Sequence, residues 1–226
     1  PVGEATGSEI TDDRRRLNST QYGCVCPVET PEGGNVGLHK ALAVLSTVSF
    51  GCPGKDLINL IENNGLISLK DIRPSQIYRQ TKIFVNGVWI GIYPEPLKLI
   101  NMLRLYRRNG LINVYTSITF YREKNEIICH TDQGRFCRPL YNVENNELII
   151  QLEHIKKIKS KELKWNDLVS GFRSRKESFN SFNCKYYTPS DIGIIKEERE
   201  TDDDILEKLR EKQAIIEYLD TEELNM

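Results

Sequence analysis

Six residues between Thr20 and Gly37 are glycine or proline: Gly23, Pro27, Pro31, Gly33, Gly34 and Gly37. Proline fixes φ and removes a donor, and glycine loses the most conformational entropy in any regular element. No long helix or strand can run through such a stretch. The backbone must instead turn repeatedly and pass close to other groups. Upstream, residues 1–13 are rich in Gly, Ser, Thr and acids and read as a flexible loop. Arg14, Arg15 and Arg16 follow as a short basic cluster.

Regular structure is expected further along. Residues 38–50 are apolar and rich in Ala and Val, so burial is expected there. A short helix is expected over 56–64, stopped by Gly65. Two alternating runs, 83–85 and 88–90, flank Asn86-Gly87, which tolerates the positive φ of a type I′ turn; a hairpin over 83–93 follows. Residues 95–109 are the clearest helix. Pro94 and Pro96 suit its first turn, and Leu99, Met102, Leu103 and Tyr106 form an apolar stripe. Arg104, Arg107 and Arg108 sit toward the end where the helix dipole favours cations, and Gly110 stops it.

Strands are expected around 112–121 and 126–130. A tight turn at Asp132-Gln133-Gly134 then leads into 135–143. Beyond Asn145 the pattern weakens: short helices over 154–159 and 165–169, then irregular chain over 171–189. Thr201 caps a last helix, with Asp202, Asp203 and Asp204 at the positive end of its dipole. Residues 215–219 either continue that helix or form a strand, and Ile215, Ile216 and Tyr218 favour the strand. The expected fold class is α+β: a β-rich domain with packed helices, preceded by an irregular Pro/Gly-rich segment.

Composition excludes several function classes. Hydrophobic residues at 39% and charged residues at 28% allow a packed core with a charged surface. No apolar run approaches the ~20 residues that span a bilayer, and no basic-then-apolar leader is present. A soluble, intracellular protein is expected. The chain starts at Pro1, which suggests processing or excision from something longer. The net charge of −1 argues against a dedicated nucleic-acid binder, but it hides a split. Residues 156–176 hold eight Lys and Arg against two acids, and 197–223 hold twelve acids against four bases. Solvated surface explains both stretches; a basic face toward nucleic acid or a partner is the alternative.

Cys24 and Cys26 are too close for a zinc knuckle, and Cys52, Cys129, Cys137 and Cys184 stand alone. All six read as small buried hydrophobes in a reducing compartment. His39, His130 and His154 form no repeated ligand spacing, so no metal site is expected. There is no P-loop, no Rossmann turn after a strand and no nucleophile elbow. Consecutive Asp202–Asp204 would fan around a helix instead of converging on magnesium. No self-contained catalytic centre is expected.

Chemistry concentrates in residues 14–40, RRRLNSTQYGCVCPVETPEGGNVGLHK. Three adjacent guanidinium groups are followed by hydrogen-bonding side chains at Asn18, Ser19, Thr20 and Gln21. Two carboxylates, Glu29 and Glu32, then sit in a Pro/Gly frame. The arginine fork donates bidentate bonds to phosphate, and a nearby carboxylate can fix its rotamer. An ordinary surface loop with incidental charges is the alternative.

The same segment resembles a region of the second-largest (β-like) subunit of multisubunit DNA-directed RNA polymerases. The shared frame is Thr20, Gly23, Cys26-Pro27, Glu29-Thr30-Pro31-Glu32-Gly33 and Gly37-Leu38. A second block agrees in order and spacing: Phe84 to Trp89, Leu103-Arg104 to Gly110, and Thr131 to Arg135 with Cys137-Arg138-Pro139-Leu140. A third, weaker match is Ile216 to Asp220 with trailing acids. The FVNGVW and TDQGRFCRPL blocks resemble the eukaryotic, archaeal and large-DNA-virus branch. The chain departs from the family at Gln21-Tyr22, where His-Trp is common, and at Ser19.

The resemblance implies a fork region over 1–50, with its second loop at 2–13 on the downstream edge of the active centre. It implies an external domain over 51–145 and a weaker-matching continuation over 146–226. Arg15 and Glu32 match family residues near the downstream template, and Glu32 is expected to lie within salt-bridge reach of Arg14, Arg15 or Arg16. Gln21 and Glu29 lie in the same frame. Arg14 and Arg16 are extra. Implied partners are the largest subunit, other polymerase subunits, template DNA, nascent RNA and NTP. The family's Mg2+ is held mainly by the largest subunit, and no cofactor is expected in this segment. The rival is a stand-alone, non-enzymatic interaction module in which 156–176 binds an acidic partner.

Overall fold

The computed structural model describes residues 13–78, 80–170, 189, 194 and 201–225. The expected loop at 2–13, save Asp13, and nearly all of the expected irregular stretch 171–189 lie outside the described residues. The helices are α1 (Gly54–Asn63), α2 (Pro74–Ile77), α3 (Pro96–Arg108), α4 (Leu152–Lys159), α5 (Trp165–Ser170), α6 (Asp202–Glu211) and α7 (Thr221–Leu224). The strands are β1 (Thr47–Val48), β2 (Ile67–Ser68), β3 (Thr81–Val85), β4 (Val88–Tyr93), β5 (Ser117–Tyr121), β6 (Glu126–His130), β7 (Phe136–Tyr141), β8 (Val143–Glu144), β9 (Glu147–Leu148) and β10 (Ile216–Asp220). The fold is α+β.

A five-stranded sheet runs in the order β2-β4-β3-β6-β5. The β3–β4 hairpin turns on Asn86 and Gly87, both at positive φ, as a type I′ turn requires. The chain then crosses through α3 and returns as the β5–β6 hairpin, so that β6 pairs in parallel with β3. Helix α3 covers this sheet because its stripe is apolar: Leu99, Ile100, Met102, Leu103 and Tyr106 join Ile83, Val85, Ile118, Ile127 and Cys129 in the main core. Leu57 and Ile61 of α1 and Leu209 of α6 complete it.

A second, three-stranded sheet takes β1, β7 and β10, all antiparallel, so one sheet draws strands from residues 1–50, 51–145 and 146–226. Val114, Tyr115, Cys137, Leu168, Val169, Ile215, Ile216 and Tyr218 form its core. Residues 216–220 are therefore a strand. Thr201 caps α6 as expected, accepting from the Asp204 N–H while Asp204 accepts from the Thr201 N–H at 2.7 Å.

Three expectations are corrected. Residues 38–50 are not a buried run: Val44 is 100% exposed, Leu45 65% and Leu38 50%. Among the described residues its strand pairing is limited to the two-residue β1 and a lone Val25–Leu42 bridge. The first strand after α3 begins at Ser117, not Ile112; residues 111–116 are buried irregular chain, turned by the Asn113 carboxamide accepting from the Tyr115 N–H at 2.8 Å. Cys24, Cys129 and Cys137 are buried, but Cys26 and Cys52 are only half-buried, and Cys184 lies outside the described residues.

Candidate nucleic-acid interface

Residues 13–43 form a compact series of turns. Asn18 starts a 3-10 turn over Ser19–Gln21, its side-chain oxygen accepting from the Thr20 N–H and hydroxyl, both at 3.0 Å. A second 3-10 turn covers Gly33–Asn35. Between them Thr30 acts as a clasp: its hydroxyl donates to the His39 carbonyl at 3.1 Å and accepts from the Gly37 N–H at 2.8 Å. The base of the loop is closed by Cys26 N–H to the Ala41 carbonyl and Ala43 N–H to the Cys24 carbonyl.

Arg15 crosses this frame. Its Nη1 donates to the carbonyls of Gly34 and Val36, both at 2.8 Å. That uses both hydrogens of one nitrogen and leaves Nη2 and Nε without a protein acceptor among the described residues. Gly37 makes the crossing feasible. It sits at φ +74°, and a Cβ there would lie 2.5 Å from the Arg15 carbonyl oxygen and 2.8 Å from its Cα. Only glycine meets both demands.

The expected ion pair between Glu32 and one of the three arginines is not formed. Glu32 is exposed, and no ion pair joins it to Arg14, Arg15 or Arg16. Its extended backbone starts the Gly33–Asn35 turn, and that turn aims two carbonyls at Arg15. The backbone therefore supplies the acceptors that charge complementarity had assigned to the carboxylate. Arg16 reaches Asp13 at 3.4 Å, with both side chains largely exposed. Arg14, Arg16, Glu29 and Glu32 all face solvent, while Arg15 and Gln21 are half-buried. The Gln21 Oε1 is buried without a partner among the described residues.

Arg138, on β7, escaped the sequence reasoning as a member of this site. Its guanidinium lies 5.3 Å from the centre of the Tyr22 ring. It also fills the space beside Gly23, where a Cβ would come within 2.2 Å of Nη1. Glycine at φ +74° and arginine thus meet across 115 residues of chain. Burial pushes the Cys24 thiol up, opposed by the nearby Arg138 charge. No local signal links Gly23 to Arg138.

A larger charged cluster lies away from the loop. Arg107, on α3, is 1% exposed. It donates to Glu223 at 2.7 and 3.0 Å, to Glu217 at 3.0 Å and to the Thr116 carbonyl at 2.8 Å. Arg108 holds Glu217 through Nε and Nη2 at 3.1 and 2.9 Å. Burial alone would lower the Arg107 pKa, but the Glu223 and Glu217 carboxylates more than reverse it and the group is held above its ordinary value. Burial likewise favours neutral Glu217, and the Arg107 and Arg108 charges overcome it, holding its carboxyl below the usual range. Among the described residues, no group of three or more His, Cys, Asp or Glu side chains is gathered where a metal ion would sit. No described helix is long and apolar enough to cross a membrane.

The loop with its arginines and the stretch of chain that carries Arg138 each match a known domain. The family described as RNA polymerase Rpb2, domain 3 matches residues 2–48, and RNA polymerase Rpb2, domain 4 matches residues 83–144. The DNA-directed RNA polymerase II subunit RPB2 of Encephalitozoon cuniculi is 45% identical over 159 residues, covering 70% of this chain and 14% of that protein. That of Schizosaccharomyces pombe is 43% identical over 151 residues, 64% of this chain and 12% of that protein. The DNA-directed RNA polymerase subunit Rpo2 of Sulfolobus acidocaldarius is 33% identical over 168 residues, 70% of this chain and 15% of that protein. The chain therefore spans about one seventh of the length of these relatives, and it belongs to the family of the second-largest subunit of DNA-directed RNA polymerase.

Proposed function

We propose that residues 13–40 form part of the downstream edge of a polymerase active-site cleft and meet the DNA backbone there. The observation that carries this reading is the state of the arginines. Arg15 is fixed by two backbone carbonyls yet keeps Nη2 and Nε for an outside acceptor, and Arg14 and Arg16 flank it in solvent. A guanidinium held in one rotamer before its ligand arrives loses little entropy on binding phosphate. The loop frame supplies rigidity, and the arginines supply charge.

In this reading the chain works within a complex that makes RNA from NTPs on a DNA template. Its partners are the largest subunit, the other polymerase subunits and the nascent transcript, and the compartment is intracellular. Mg2+ is supplied mainly by the largest subunit, so the segment positions nucleic acid and performs no chemical step. The isolated chain should have no polymerase activity and only weak, salt-sensitive DNA binding.

The test is an assembled polymerase whose full-length subunit carries Arg15→Ala. Assembly should persist while elongation slows or pausing shifts. Arg15→Lys should not restore the wild-type pattern, because one ammonium cannot hold both carbonyls and still present a planar edge to phosphate. Normal elongation and pausing on several templates would remove Arg15 from the interface.

A further inference from the structure

We propose that α4 and the turn after it form a docking surface for an acidic, amphipathic segment of a partner protein. Helix α4 buries none of its residues. Leu152, Ile155 and Ile158 recur every three positions, which places them within an arc of about 120° on one face. They are 76%, 39% and 37% exposed, and Trp165 at the start of α5 is 49% exposed. By helical spacing Lys156 borders this stripe, Lys159 lies within its arc in the last turn and Lys157 is on the opposite face; Lys161 and Lys164 follow in the turn after the helix, and all five are exposed. None of these five ammonium groups has an ion-pair partner among the described residues.

The helix is specified locally. His154 Nδ1 accepts from the Gln151 N–H at 3.0 Å, closing a capping box, and the lysines of the last turn suit the dipole. Two turns of helix are nonetheless marginal in water without an apolar face to cover. The surface also lies outside both stretches that match the polymerase domains, residues 2–48 and 83–144, so neither matched domain accounts for it.

Charge and shape select the occupant. A row of apolar side chains would cover the stripe, and flanking carboxylates would meet the lysines. Nucleic acid would satisfy the lysines and leave the stripe wet. A bilayer is a poorer fit, because interfacial binding scales with buried apolar area and this face offers three aliphatic side chains and one indole.

The experiment uses the whole chain and a fluorescein-labelled synthetic peptide with leucines at helical three- and four-residue spacing and glutamates elsewhere, read by anisotropy. A scrambled peptide of the same composition, duplex DNA and phosphatidylserine vesicles serve as competitors. The patterned peptide should bind at least about tenfold more tightly than the scrambled one. Lys156→Glu with Lys159→Glu, and Leu152→Ser with Ile158→Ser, should each weaken binding about tenfold. Circular dichroism checks the fold of each variant, and Lys156→Gln with Lys159→Gln decides the matter if the harsher pairs unfold. Equal binding of both peptides, unchanged variants, or displacement of the peptide by DNA or vesicles would overturn the proposal.

Discussion

Arg107 and Glu223, 116 positions apart, form a bidentate ion pair at 2.7 and 3.0 Å with side chains only 1% and 4% exposed. The pair ties α3 to the C-terminal turn of α7. Glu223 also accepts from the Ile118 N–H at 3.3 Å, so the contact reaches the first residues of β5. Two consecutive elements, α3 and β5, are thus tied to the far C-terminal end of the described chain through one ion pair.

Removing that guanidinium should be among the most damaging single changes in the chain. Arg107→Ala leaves Glu217 and Glu223 close together, buried and short of their main counter-charge. Breaking one side of a buried pair costs about 3–5 kcal/mol. Glu223→Gln should cost less, because Arg107 keeps Glu217 and the Thr116 carbonyl. Urea unfolding of the whole chain measures both. A loss below about 1 kcal/mol for Arg107→Ala would show that water enters the cluster freely.

Acid should expose the same network. The folded state holds the Glu217 carboxyl below its ordinary pKa, so in the window beneath that value the unfolded chain binds the proton more readily. Stability from Glu217 is therefore present above the unfolded carboxylate range, about 4.3, and is lost as pH falls through the folded value. Urea midpoints taken stepwise from neutral pH to pH ~3 should fall, and Glu217→Gln should flatten that limb even though it starts lower. An equally steep limb in the variant would assign acid sensitivity to other carboxylates.

Cysteine reactivity should separate the two half-buried thiols from the buried ones. Burial pushes Cys129 and Cys137 up to about 12 each. Neither offers thiolate near neutral pH, and neither is accessible. Cys26 and Cys52 should alkylate first under native conditions, mapped by mass spectrometry of the peptides. Sign matters at high pH too. With folded pKa values raised, stability is full below the unfolded thiol range near 9 and declines as pH rises toward 12. Early labelling of Cys129 would mean that the sheet core opens locally.

Features set by neighbouring residues were legible in the sequence. The Asn86-Gly87 hairpin, the proline-started α3 and the Thr201 cap each follow from a few adjacent side chains. The Pro/Gly frame of the loop was legible for the same reason. What was hidden depends on distant chain. Composition marks Arg107 as a helix-end cation, and nothing local announces two carboxylates more than a hundred residues later. Residues 38–50 look like core because burial is inferred from apolarity alone, yet burial also needs a layer to pack against. The resemblance singled out Arg15, but its acceptors are main-chain carbonyls, which carry no sequence signature; complementary charge therefore pointed to Glu32 as the partner of one of the three arginines.

Gly37 offers a direct check on how Arg15 is held. Gly37→Ala places a methyl group where the Arg15 carbonyl and Cα already are, on a backbone at φ +74°. Either the loop turns at a new angle or Arg15 withdraws, and strain of this kind costs about 1–3 kcal/mol. Because the loop lies outside both hydrophobic cores, most of that cost should appear as local opening, with a smaller change in global stability. Trypsin provides the readout, since Arg14, Arg15 and Arg16 are all cleavage sites within the loop. Cleavage over 14–16 should accelerate about tenfold in the variant while the urea midpoint moves little; tenfold corresponds to about 1.4 kcal/mol of easier opening. Arg15→Ala should produce a similar rise at Arg14 and Arg16, because it removes the same pair of hydrogen bonds from the other side. If Gly37→Ala leaves cleavage at the wild-type rate, the two carbonyl contacts do not hold the loop, and the preorganised arginine loses its physical basis.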